Sequence, residues 1–358
     1  DTYRNVPPFV DGVFDPDSAV GFLGANANKR CVTLDLSSTE GLAVVHDLIR
    51  WADVVTESFA PGVIGRMGLD YDTVRAINPN VIMISSCLLG QTGPWSGYSG
   101  FGNLAAAVSG FYELVGYEDE PPIGCYGPYT DFIASRYNAL AILGALDVRD
   151  EAGVGQYIDL SQAEASCHFL APELLRATTT HEALATRANY DPQMCPHNVY
   201  PVAGEDRWIA IAVRDDAMWQ RLLAVMQEHK LDARWTFPER EANRTLIDEI
   251  IGSWAADRGG EELETALQTQ RIAAHRVVDT YDLWEDEQLR YRNHFVPISH
   301  PKHGNVTIEG SRILMSNAQA VRPTRSPTFG VDNVEVLSDV LGYSAEQIQA
   351  LQDAGILH

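Results

Sequence analysis

The sequence predicts an α/β protein, with a parallel sheet in a larger domain and a smaller α+β domain beside it. Three observations carry this reading. Between residues 31 and 161 short apolar stretches alternate with segments of helical periodicity. The stretch Val81 to Ser86 (VIMISS) is almost continuously apolar, as a strand covered on both faces must be. From residue 199 the pattern changes to a hairpin followed by a run of amphipathic helices.

Cys31 to Leu36 (CVTLDL) is rich in strand formers and reads as the first strand. Ser38-Thr39 precedes Leu42, Val45, Leu48 and Ile49, the spacing of a capped amphipathic helix. Val54 and Val55 make a short buried strand, closed by Pro61-Gly62 before a helical turn through Ile64 and Met67. Asp70 caps a helix to about Ile77, Asn78-Pro79 breaks it, and VIMISS follows. After a Gly/Pro loop at 90–100, residues 103–115 and 129–149 have helical spacing, and QYIDLS at 156–161 is a strand feeding a helix to about Arg176. The polar stretch 177–196 reads as a linker. VYPVAGEDRWIAIAV (199–213) reads as a hairpin around Gly204-Glu205-Asp206, with helices near 215–227, 241–257 and 261–269 after it. Short strands near 293–299 and 305–309 precede a Pro-rich stretch and closing helices near 333–341 and 344–354. The expected division is residues 1–190 as the large domain, 191–311 as the small one, and 312–358 returning to the first.

A chain of 358 residues has room for about two domains of ordinary size. With 45% hydrophobic and 21% charged residues, disordered, collagen-like and disulfide-scaffold classes are excluded. The 49 acidic against 26 basic residues leave a net charge of −23, which repels a polyanion, so nucleic acid is not an expected partner. A local Lys or Arg can still hold a small anion, because salt screens the global field over roughly 8 Å. Five widely spaced cysteines without a CxxC pair read as reduced thiols and give no metal motif. No run of about 18 apolar residues and no secretory leader pattern is present, so the expectation is a soluble cytoplasmic protein without a membrane partner.

The common catalytic signatures GxGxxG, the Walker loop, HExxH and GxSxG are absent. GQTGPW (90–95) is a glycine-rich loop without a Lys-Ser/Thr ending, readable as a phosphate cradle or as a surface turn. His197, beside Pro196, reads as a structural turn residue more readily than as a base. The segment Gly124 to Phe132 (GCYGPYTDF) stands out, with one acid, no base, two glycines and several aromatics. Its acid, Asp131, is either the cap of the following helix or a desolvated, reactive carboxylate.

NKRCVTLDL (28–36), ADVVTESFAPGVIGRMGLDYDTVRAINPNVIMIS (52–85), GQTGPW (90–95), the Asp of YTDF and GVGQYIDLS (153–161) together resemble the class III CoA-transferase family of CaiB/BaiF type, the group of formyl-CoA transferase and carnitine CoA-transferase. PHNVYPVAGEDRWIAIAV (196–213) and LGYSAEQIQALQDAGI (341–356) are similar to the family too. The resemblance implies a Rossmann-like large domain that binds CoA, an interlocked homodimer, and a reaction that moves CoA from an acyl-CoA thioester to a small carboxylic acid. It implies that Asp131 is the nucleophile, passing through an acyl-aspartyl anhydride and an aspartyl-CoA thioester. Leu34 and Leu36 match the adenine-side strand, Ser58 and Phe59 the pyrophosphate-side turn, and Arg66 a phosphate contact. No metal and no cofactor beyond CoA and acyl-CoA as substrates is implied.

Three departures stand beside the match. The family pattern ENF is Glu57-Ser58-Phe59 here. Family members also carry a strand, a helix and a second strand ahead of the NKR segment, whereas this sequence opens on Asp1, which leads to the expectation that the full protein supplies such residues upstream. Finally, the racemase branch places a catalytic histidine just after the position of Pro94, and Trp95 to Asn103 contains none. An α-methylacyl-CoA racemase is thereby disfavoured; another acyl-CoA enzyme of the same fold and a catalytically silent binding module stand as the alternatives. Lys29 and Arg30 either add charge near a nucleotide or cover the start of the strand.

Overall fold

The structure, a computed structural model, describes residues 1–182, 185–318 and 321–357. The opening residues form 3-10 turns at Thr2–Asn5 and Val10–Gly12, then helix α1 (Val20–Ala25). Helix α2 (Thr39–Trp51) starts where its capping residue places it: the Ser38 hydroxyl accepts from Gly41 N at 3.0 Å, satisfying one of the orphan amides of the first turn. Strand β1 (Val54–Glu57), helices α3 (Val63–Arg66) and α4 (Tyr71–Ile77), and strand β2 (Ile82–Cys87) follow. The Asp70 carboxylate caps α4 by accepting from Thr73 N at 3.0 Å. Next come α5 (Gly102–Val108), α6 (Phe111–Leu114), the long α7 (Tyr129–Ala152), β3 (Tyr157–Ser161), α8 (Gln162–Cys167) and α9 (Ala171–Thr180).

β1, β2 and β3 form one parallel sheet in that order, with Val54 opposite Ile82 and Met83 opposite Tyr157. The central strand is the apolar one: Ile82, Met83 and Ile84 are fully buried. Met83 and Val81 join Ile49 of α2 and Val74 of α4 in one apolar cluster, which explains why both helices show an apolar stripe at the helical period.

Cys31–Leu36 is not a strand of this sheet; it has no regular structure and ends in a turn at Leu36. Its amides go to side chains and backbone of the chain's end: Cys31 N to Asp332 Oδ2 at 2.7 Å, Thr33 N to Asn333 Oδ1 at 2.9 Å, and Asp35 N to Ile356 O at 3.0 Å. Composition reports a strand preference; it does not report the partner that would make it a ladder. Asp332 and Asn333 lie at α16 (Asn333–Glu335), which runs into a π-turn at Val336–Val340 and then α17 (Ala345–Asp353), the latter with a capping box between Ser344 and Gln347.

Two compact units divide the chain. One comprises Asp1–Ser109, Gly127–Phe169 and Glu285–His358; the other comprises Gly110–Tyr126 and Leu170–Trp284. In the second, β4 (His197–Pro201), β5 (Trp208–Ala212) and β6 (Ala273–Val277) make an antiparallel sheet, covered by α10 (Asp216–Met226), α12 (Arg244–Ala255) and α13 (Gly260–Thr269), with the short α11 (Phe237–Ala242) between them. Its core is Ile209, Ile211, Trp219, Leu222, Ile247, Ile251 and Leu267, each contributing about 1.5–3 kcal/mol on burial. β6 escapes a sequence reading because AAHRV is mostly exposed and has no apolar alternation; β5 supplies its ladder.

The expected and observed boundaries differ. After α14 (Thr280–Glu285) and α15 (Glu287–Tyr291), the hairpin of β7 (Phe295–His300) and β8 (Gly304–Glu309) belongs to the first unit. Ile298, Val306 and Ile308 of this hairpin pack with Leu23 of α1, and Val10 and Ala27 pack against the same cluster.

Candidate active site

All three parallel strands end at one edge of the sheet, with Glu57 opposite Ser85 and Cys87 opposite Ser161. Ser58-Phe59 follows β1 there, the glycine-rich loop follows β2, and Gln162 follows β3. Outside the carboxyl ends of parallel strands is where α/β sheets bind ligands.

Asp131 sits in the first turn of α7, behind Gly127, whose φ of 64° turns the chain, and Pro128, which is the N-cap. The Asp131 side chain does not cap the helix; its backbone N donates to Pro128 O at 3.0 Å, and the half-buried carboxylate is left for other use. Oδ1 accepts a short hydrogen bond from Gln162 Nε2. Gln162 is only 7% exposed. Two further contacts fix the turn. Thr130, fully buried, donates from Oγ1 to Gly102 O at 2.8 Å, and a Cβ on Gly102 would stand 2.8 Å from Pro128 O and 3.0 Å from Asp131 Cγ. The starts of α5, α7 and α8 thus converge on one carboxylate. Among the described residues no ion pair involves it. A carboxylate there gains from the positive end of a 24-residue helix without a cation to neutralise it.

The aromatics beside Asp131 in sequence do not enclose it within this chain. Phe132 is 54% and Tyr129 41% exposed, and Tyr126 is fully exposed. Successive residues of a helix point about 100° apart, so neighbours in sequence rarely share a wall.

The glycine-rich loop is tied to β3: Gln91 N donates to both carboxylate oxygens of Asp159, at 2.9 and 3.1 Å, and Gly90 makes the turn at φ 84°. Burial, helped by the Asp159 charge, pushes the Cys87 thiol up, so it is a protonated core thiol at neutral pH and no nucleophile. Ser58 and Phe59 are exposed, and Phe59 N donates to Glu57 Oε2 at 2.7 Å. Arg66 closes α3, exposed, with its Nη1 3.3 Å from the position of a Cβ on Gly62. Leu34 packs against Leu337, Ile348 and Leu357, and Leu36 is half-buried. No hydrogen bond or ion pair among the described residues joins Leu34, Leu36, Ser58, Phe59 or Arg66 to Asp131. Lys29 Nζ donates to Asn26 Oδ1 at 3.0 Å, and Arg30 pairs with Glu335 at 2.8 Å. His197 is the first residue of β4, its Nδ1 2.5 Å from Asn189 O.

Gln162 and Gly102 were not legible as site residues in the sequence. For Gln162 a signal existed in retrospect: a glutamine that directly follows a strand and opens a helix must be paired if it is buried. Nothing in the sequence singles out Gly102. Among the described residues no helix is long and apolar enough to cross a membrane, and no group of three or more His, Cys, Asp or Glu could hold a metal ion.

The pattern of the family described as CoA-transferase family III matches residues 1–333. A succinyl-CoA–D-citramalate CoA-transferase of Chloroflexus aurantiacus is 27% identical over 91% of this chain and 81% of its own length. The beta subunit of a succinyl-CoA–L-malate CoA-transferase from the same organism is 30% identical over 94% of this chain and 84% of its own length. A crystal structure of a CaiB/BaiF family protein from Brucella suis superposes with a TM-score of 0.87 at 26% identity, covering 95% of this chain and 89% of that one. With that fold, and with a match running through nearly all of its length, the chain belongs to CoA-transferase family III and is a CoA-transferase.

Proposed function

We propose that this enzyme carries CoA from a donor acyl-CoA to a small carboxylic acid on the side chain of Asp131. The observation that carries the reading is a carboxylate in no ion pair among the described residues, held by one neutral amide at a helix N-terminus, at the carboxyl edge of a parallel sheet. Asp131 Oδ2 attacks the thioester carbonyl; the C–S bond breaks and CoA leaves as thiolate, giving an acyl-aspartyl anhydride. The thiolate attacks Cγ and expels the donor acid, leaving an aspartyl-CoA thioester. The acceptor carboxylate attacks the same carbon, and the released thiolate takes the acceptor's acyl group, restoring Asp131. No proton needs to move.

In this reading Ser58 and Phe59 flank the pyrophosphate, Arg66 meets a phosphate, and Leu34 and Leu36 line the adenine side. Support for Ser58 and Phe59 comes from their exposure directly after the carboxyl end of β1, and for Arg66 from its exposure and charge. The enzyme works as a homodimer: the Leu140 and Leu143 side chains of α7 are 68% and 64% exposed, an apolar surface of the kind partners cover. Five unpaired cysteines fit a reducing compartment, the cytoplasm.

The decisive experiment is Asp131→Ala, read by CoA transfer across a panel of acyl-CoAs and by mass spectrometry of the peptide carrying residue 131. We expect a loss of about a thousandfold or more with an unchanged circular dichroism spectrum, and an adduct on that peptide in the wild type only. Transfer retained by the folded variant would refute the assignment.

A further inference from the structure

We propose that Gln162 is the oxyanion donor for the two steps in which the aspartyl carbonyl is attacked, a role that rests on Asp131 being the nucleophile. The argument starts from which oxygen is held. Gln162 Nε2 donates to Oδ1, and Oδ2 accepts no hydrogen bond from the described residues. Oδ2 is therefore the free nucleophile, and Oδ1 is the oxygen that Asp131 keeps as a carbonyl in both the anhydride and the CoA thioester.

In the first step, attack by Oδ2 on the donor, negative charge develops on the substrate's carbonyl oxygen. The same is true of the last step, when thiolate attacks the acceptor's acyl group. Gln162 contributes nothing to that charge and withdraws a little density from the attacking carboxylate. In the two middle steps, thiolate and then the acceptor carboxylate add to Cγ, and the electron pair of the Cγ=Oδ1 bond moves onto Oδ1. As the tetrahedral species collapses, the pair returns, and the donor acid or the thiolate departs with the electrons of its bond to Cγ. The amide N–H of Gln162 already points at the oxygen that becomes charged, and a hydrogen bond to a full anion is about twice as strong as one between neutral groups.

The amide is also built in. Gln162 is buried, and its backbone is clamped on both sides: Ala163 N donates to Leu88 O at 3.0 Å, Ser109 Oγ donates to Ala163 O at 3.1 Å, and Ser166 Oγ donates to Gln162 O at 2.8 Å. Ala163 packs with Leu88 and Ala105 in a small apolar cluster. A donor mounted on such a support does not reorganise when charge appears, which is what makes it effective.

The test separates the steps. Gln162→Met keeps the length and helix preference of the side chain and removes the donor. With an acyl-CoA and no acceptor, rapid-quench thiol release reads the first step, and the mass of the residue-131 peptide distinguishes acyl anhydride from CoA thioester. We expect thiol release within about threefold of wild type, and conversion of anhydride to aspartyl-CoA slowed by about 10²–10³-fold, so that anhydride accumulates and drains by hydrolysis. Equal slowing of both steps would show that Gln162 only positions the carboxylate and would overturn the proposal, as would unchanged kinetics. Should Gln162→Met not fold, Gln162→Asn, which withdraws an amide by one methylene, carries the same expectation of a larger effect on the second step. Absence of any adduct on residue 131 in the wild type would instead overturn the nucleophile assignment itself, an outcome distinct from failure of the Gln162 role alone.

Discussion

Adding one methyl group at Gly102 sets two effects against each other, and the structure decides between them. In a helix, alanine is favoured over glycine by about 0.5–1 kcal/mol. At this position, however, the new Cβ would lie 2.8 Å from Pro128 O and 3.0 Å from Asp131 Cγ, roughly half an ångström inside ordinary contact. Backbone cannot swing aside as a flexible side chain can. Neither segment retreats freely, because Thr130 Oγ1 ties α7 to Gly102 O at 2.8 Å, and Pro128 O already accepts from Asp131 N. Overpacking of this kind costs about 1–3 kcal/mol, so Gly102→Ala should be destabilising by about 0–2.5 kcal/mol despite the better helix former. The larger effect falls on Asp131. If a displacement of 1 Å costs about a hundredfold in rate, half that distance costs about tenfold. Thermal unfolding by circular dichroism and initial rates of CoA release from an acyl-CoA measure the two. A variant with a raised Tm and an unchanged rate would refute the packing argument.

Two further outcomes are expected. Light scattering should give a mass about twice the 39.4 kDa of one chain, unchanged on dilution, whereas a clean monomer would contradict the interlocked dimer. The Thr73 amide holds the Asp70 carboxyl below its usual range, so its stabilising contribution is fully present above the unfolded pKa near 3.9 and is lost as pH falls through the lower folded value; urea unfolding of wild type against Asp70→Asn should show a gap that is constant from pH 7 to about 5 and shrinks below about pH 4.

What the sequence made legible follows from what local patterns encode. Ser38 and Asp70 cap helices because their oxygens reach amides two or three residues on, a relation contained in the local sequence. VIMISS declares a central strand because only a strand covered on both faces can be apolar throughout. Pairing is different. CVTLDL has strand composition, yet its amides meet Asp332, Asn333 and Ile356, some 300 residues away, and no local rule contains that distance. β6 is the converse, a poor strand pattern made into a strand by its neighbour. The same distinction divides the site. Asp131 was singled out by the segment around it and by resemblance, whereas Gln162 and Gly102 belong to it through contacts made by three separate helices.

Comparison with two buried carboxylates, Asp17 and Asp332, shows why a neutral partner matters to the proposed chemistry. Asp17 pairs with Arg4 at 2.9 Å, and Asp332 pairs with Arg325 at 2.8 Å. Such carboxylates are spoken for: the cation stabilises their charge, and spreading that charge into a new covalent bond would forfeit the pairing. These two hold the N-terminal and C-terminal segments of the first unit in place. Asp131 is treated differently. It has an amide on one oxygen, the end of a helix dipole behind it and no paired cation among the described residues, so no ion pair has to be given up when it attacks a thioester. The amide suits the later steps for the same reason. A guanidinium in the place of Gln162 would hold the starting carboxylate as firmly as the later oxyanion, and uniform stabilisation of ground and transition states accelerates nothing. A neutral donor binds the free carboxylate modestly, binds the neutral carbonyl of the anhydride less, and grips hardest when Oδ1 takes up the full charge, which makes glutamine at this position a better fit to a carboxylate that must serve first as nucleophile and then as electrophile.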